Sequence, residues 1–128
     1  MNSNPPPSMA SWNLALRFGL ELAALGGLAL GAWTIASGPT RVFAIVAVPV
    51  VAAVGWGVFN VRDDPSRSGA APVEVSGLIR LAVELTILGA GMAGYAVAGH
   101  SGVAALIALL IVAHYIASRR RVAWLVAR

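Results

Sequence analysis

Three stretches of this chain contain no aspartate, glutamate, lysine or arginine: Leu22 to Thr40, Val42 to Val61 and Leu85 to Ser118. A soluble helix needs a polar face, and a helix that is apolar all round is buried in a large protein or in lipid. A chain of 128 residues is not a large protein. Its composition points the same way: 59% of residues are hydrophobic, 11% are charged and the mean hydropathy is +0.81. An ordinary soluble domain is about 25% charged. The uncharged runs therefore predict an integral membrane protein with the lipid bilayer as its main partner.

Gly and Pro divide the runs. A span requires about 20 apolar residues, with a range of about 17–25. Residues 1–12, with Pro5, Pro6 and Pro7, read as a disordered lead-in to a transmembrane domain over 13–128. Asn13 reads as a helix N-cap. Spans are expected at about 14–35, 41–59, 77–98 and 103–118, with tight turns at Ser37–Thr40 and Gly99–Gly102. Pro49 falls inside the second span, where it is expected to kink the helix. The fourth span is short. Snorkelling arginines, or continuation through Val122 to Val126 along the interface, would complete it.

All nine basic residues are arginine, and with the abundance of Ala, Gly and Val this resembles the coding bias of a GC-rich bacterium. A net charge of +4 would suit nucleic acid, but the arginines flank apolar segments, which argues against that partner. With four spans, Arg62, Arg67, Arg119, Arg120 and Arg121 gather on one side as topology signals and headgroup anchors. Only Arg41 lies on the other. The positive-inside rule then places both termini and the loop from Asn60 to Val75 in the cytoplasm of a bacterial cell, across its inner membrane.

Charge within the spans is scarce and patterned. Arg17 and Glu21 recur 63 residues later as Arg80 and Glu84, and Gly26 and Gly31 recur as Gly89 and Gly94. The expected fold class is thus all-α: a four-helix bundle of two repeated hairpins, related by a pseudo-two-fold axis along the membrane normal. Small residues at spacing four, Ala23–Gly27–Gly31 and Thr86–Ala90–Gly94, would let the first and third spans approach closely.

Arg17, Glu21, Arg80 and Glu84 are expected to face inward at one depth with His114 nearby. Charges facing lipid are costly, so cross-span pairs, Arg17 with Glu84 and Arg80 with Glu21, are favoured over pairs within one helix. Such a cluster reads either as structural glue or as a polar site for an ion, proton or small solute. His114 reads as a buried hydrogen-bonding group or as a titrating member of the cluster. Without cysteine there is no thiolate chemistry, and two distant histidines do not make a metal site. Asp63 and Asp64 are adjacent in the loop, with no pocket suggested around them. No paired nucleophile and base, phosphate loop or cofactor motif is present in the sequence.

The segment from Asn13 to Leu22, together with Pro49, Trp56-Gly57, Arg80 and Glu84, resembles the YrdB-like family of small bacterial membrane proteins of unknown function. That resemblance implies a four-span membrane protein and carries no activity with it. The expected function is a structural or accessory membrane component, alone, as a homo-oligomer or within a larger membrane complex. A small-solute or ion transporter built on the Arg/Glu cluster is the alternative. Neither reading requires an enzyme or a cofactor.

Overall fold

The computed structural model describes residues 5–128, so the first four residues of the expected lead-in lie outside the described residues. Residues 5–10 carry no helix or strand, and the first helix starts slightly earlier than expected. Helix α1 spans Ser11–Ile35, α2 Gly38–Val58, α3 Gly77–Val97, α4 Ser101–Ala117 and α5 Arg119–Val126. Between α2 and α3, strands β1 (Phe59–Asn60) and β2 (Val73–Glu74) form a two-residue parallel bridge that ties down the polar loop.

Three helices, α1, α2 and α3, are each long and apolar enough to cross a membrane. Helix α4, at 17 residues, reaches that measure only together with α5, from which it is bent by 71°. At about 1.5 Å per residue, the 21 residues of α2 or α3 cover roughly the 30 Å of a hydrocarbon core.

The connections follow from local chemistry. Only Ala36 and Ser37 separate α1 from α2, and Pro39 sits in the first turn of α2, where its missing N–H is no loss. Helix α2 continues through Pro49 to Val58. Helix α3 ends in a Schellman motif: the Gly99 and His100 amides donate to the carbonyls of Ala96 and Tyr95. Gly99 takes the left-handed conformation that this motif requires, at φ +87°.

Helices α1 and α3 form the centre, with α2 packed mainly on α1 and α4 mainly on α3. Leu20, Ala24, Leu88, Ile107 and Trp56 make the apolar core. The small residues at the α1–α3 crossing are Ala24, Gly27 and Gly31 facing Gly91 and Gly94; a Cβ on Gly94 would overlap the Gly27 carbonyl. On α3 the buried stripe keeps Gly94 of the expected one but runs through Gly91 in place of Ala90, and Thr86 and Ala90 are exposed. The difference is the register of the helix face: Arg80, Glu84, Leu88 and Gly91 define the buried side. Helix α2 buries only Trp56 and leaves Val42, Phe43, Val46, Val50, Val51 and Val54 exposed.

Candidate functional site: a buried arginine–carboxylate network

At one end of the bundle the scarce charges converge. Glu84 is fully buried on α3, one turn after Arg80. Its carboxylate accepts from Arg17 of α1 at 2.7 Å, Arg80 at 2.9 Å, Arg121 of α5 at 2.6 Å and the Tyr115 hydroxyl of α4 at 2.9 Å. Charge-assisted bonds of this kind are roughly twice as strong as neutral ones. One carboxylate thereby ties together four helices.

Arg121 also forks onto Asp64 of the loop, at 2.7 Å and 2.5 Å. Burial by itself would raise the Asp64 carboxyl. Its hydrogen bonds and charge contact with Arg121, and the bonds from Ser66, outweigh that and hold it below its ordinary value of 3.8. Ser66 donates its amide to Asp64 Oδ1 at 3.0 Å, an Asx-type turn that aims the carboxylate inward.

Arg80 uses its remaining reach on backbone. It donates to the carbonyls of Trp56 at 2.7 Å and Phe59 at 2.6 Å, groups that the end of α2 leaves without helical partners. Arg67 adds a bond to the same Trp56 carbonyl at 3.2 Å. The Trp56 ring lies under three guanidinium groups, with Arg17 and Arg80 at 5.1 Å and Arg67 at 6.0 Å from its centroid.

The expected cross-span pairs divide. Arg17 and Glu84 meet, whereas Arg80 bonds its own helix neighbour Glu84 and makes no ion pair with Glu21. Glu21 lies at the edge of the network, with its side chain 23% exposed. Its Oε1 is 3.2 Å from Arg17 Nε, an ionic contact whose angle falls short of a hydrogen bond. The like placement of Glu21 and Glu84 is lost because Arg121 and Tyr115 reach only the α3 carboxylate.

His114 is fully buried but bonds to none of the four charges. Its Nδ1 lies 2.7 Å from Asn13 Oδ1, and the Asn13 amide donates to Ser118 Oγ at 2.8 Å. Asn13 is thus not the N-cap; Ala10 holds that position, and Asn13 is buried one turn before Arg17.

The arginine triplet also separates. Arg119 and Arg120 are exposed, while Arg121 is 1% exposed at the centre of the network and so is no headgroup anchor. The bend at Ser118 turns Arg121, Trp124 and Leu125 inward together. In the loop, Arg62 is exposed beside Glu74 and Arg67 is half-buried against Trp56. Sequence reasoning missed the roles of Asp64, Asn13 and Tyr115; the signal available for Asn13 was its place one helical turn before Arg17.

The family description "protein of unknown function (DUF2568)" matches residues 15–113, which include Arg17, Trp56, Arg80 and Glu84. The chain belongs to this family. This DUF2568 chain is 38% identical over 113 residues to the uncharacterized protein YrdB of Bacillus subtilis (strain 168), covering 88% of this chain and 92% of that protein. No solved structure matches. Arg121 and Asp64 bear differently on this extent: Asp64 lies inside the matched DUF2568 region, and Arg121 lies beyond its end.

Proposed function

We propose that this DUF2568 chain is a structural or accessory component of a bacterial inner membrane. It crosses the bilayer four times, the last time through the bent pair α4–α5, with both termini and the loop from Asn60 to Val75 cytoplasmic. The arrangement of α2 on α1 and α4 on α3, around a central α1–α3 pair, supports two hairpins about a pseudo-two-fold axis. The exposed valines of α2 would face lipid or a second membrane protein.

The observation that carries a structural role is the saturation of Glu84. A carboxylate that loads and releases a cation must exchange partners, and this one is held by three arginines and a tyrosine. The role we propose is non-enzymatic. Two experiments test the reading. Purification from native membranes should yield the chain intact, with stoichiometric copies or partners. Proteoliposomes should show no flux of protons, monovalent cations or small organic cations above empty vesicles; flux abolished by Glu84→Gln would overturn the structural role.

A further inference from the structure

A hollow of about 130 Å³ lies where α1, α2 and α3 meet the loop. Its polar wall is Glu21, Trp56 and Arg67, and its apolar wall includes Leu25, Ala52 and Ile87. Trp56 is 5% exposed, and its indole Nε1 is buried without an acceptor. Arg67 Nε is likewise buried and unpartnered, as is Arg80 Nη2 beside the same ring. Buried donors left without acceptors are costly, and natural proteins rarely leave them so.

The charge at this end is also unbalanced. Arg17, Arg67, Arg80 and Arg121 face Glu21, Asp64 and Glu84, which leaves one positive charge over. Further along the seam of the same three helices lies an apolar groove of about 440 Å³, walled by residues such as Gly27, Gly31, Val48, Ala93 and Gly94. From Glu21 to Ile35, the α1 residues that line the two hollows cover roughly 20 Å of helix axis. That is comparable to one leaflet of a hydrocarbon core about 30 Å thick. Glu21 and Arg67 also border a third hollow beside Pro65 and Ser66, at the loop end.

We propose that this seam holds one glycerophospholipid, with its phosphodiester accepting from Trp56 Nε1 and Arg67 Nε and an acyl chain lying along the Gly27–Gly94 groove. A phosphodiester carries one negative charge, which matches the one positive charge in excess, and its oxygens are acceptors for the unpartnered donors. The apolar groove continues from that polar end, which suits a diacyl lipid and gives a free anion nothing to bind. Glu21 shares the wall of this hollow, but its carboxylate lies 3.2 Å from Arg17 Nε and is already counted in that balance.

The proposal rests on the chain being a membrane protein, and alkaline washing of membranes reads that separately: release of the chain into the wash would remove the bilayer placement itself. The binding test is native mass spectrometry of the delipidated protein in detergent, titrated with phosphatidylglycerol, with diacylglycerol of the same chains, and with inorganic phosphate as competitor. Phosphatidylglycerol should stay bound with one copy per chain, and diacylglycerol should not. Trp56→Phe, which keeps the ring and removes the donor, and Arg67→Gln should each weaken retention by roughly tenfold, the size of one hydrogen bond to a charged group. Ala93→Phe fills the groove from an exposed position and should weaken it without disturbing the core. Equal retention by all three variants, diacylglycerol binding as strong as phosphatidylglycerol, or displacement of the lipid by equimolar phosphate would each overturn the proposal.

Discussion

At the scale of single residues, Asp64 shows how a loop carboxylate becomes part of the interior. Its folded-state value is depressed by Arg121 and Ser66. A depressed carboxylate contributes stability that is fully present above its unfolded value and is lost as pH falls through the folded one. The protein in detergent should therefore lose stability as pH falls below about 4, near the ordinary value of 3.8, and Asp64→Asn should flatten that acid limb. Chemical denaturation at a series of pH values checks this; the same slope in both proteins would count against the contact. Tyr115→Phe removes one bond to Glu84 and should cost about 1.5–3 kcal/mol, the range for hydrogen bonds to charged groups. Denaturant titration of that variant is the check. The Arg17–Glu84 contact was legible because charges are so rare that two in apolar runs must find each other. Asp64 was not, since nothing in a doublet of loop aspartates says which one turns inward. Asn13 was misread because its type suits a helix cap, and only the earlier start of α1 places it on the buried face above Arg17.

At the scale of elements, the four long helices were legible from the uncharged runs and from the Gly and Pro that end them. The fourth showed its shortness but not its bend. No Pro or Gly lies at Ser118, so the 71° turn reflects what α5 packs against and not a breaker in the chain. Three successive arginines read as an interface anchor until that turn carries the third one into the network. Helix α5 is held by close backbone approach: a Cβ on Gly77 would overlap the Leu125 carbonyl, and Leu125 is fully buried with Trp124 and Val61. Gly77→Ala should thus displace α5, withdraw Arg121 from Glu84 and Asp64, and expose the segment after Ser118. Limited proteolysis should cut there in the variant and spare the original protein. Equal resistance of the two would mean that α5 does not depend on this contact. The small-residue stripe was legible at Gly27, Gly31 and Gly94 but one position off at Ala23 and Ala90, where Ala24 and Gly91 are buried instead, since Gly and Ala are too common in these runs to fix a helix face alone.

At the scale of the whole molecule, an apolar exterior and a charged knot at one end describe a bundle whose helices meet in a shared ion-pair network as well as in an apolar core. The sequence's positive-inside asymmetry and the proposed cytoplasmic knot can be examined together, because the chain has no cysteine to mutate away. A single cysteine at position 66 should resist an impermeant reagent in intact cells, and one at 38 or 100 should react; the opposite pattern would invert the orientation. Glu84 joins α1, α3, α4 and α5 through direct bonds and the loop through Arg121, so its removal should be felt by the entire fold. Removing one member of a buried pair costs about 3–5 kcal/mol, because an uncompensated charge stays behind. The most direct measurement is a double-mutant cycle on unfolding in detergent, with Arg17→Met, Glu84→Gln and both together. The two losses should overlap, leaving a coupling of about 1–3 kcal/mol; losses that add to within about 0.5 kcal/mol would show that Arg17 and Glu84 are independent and that the network does not hold the helices together.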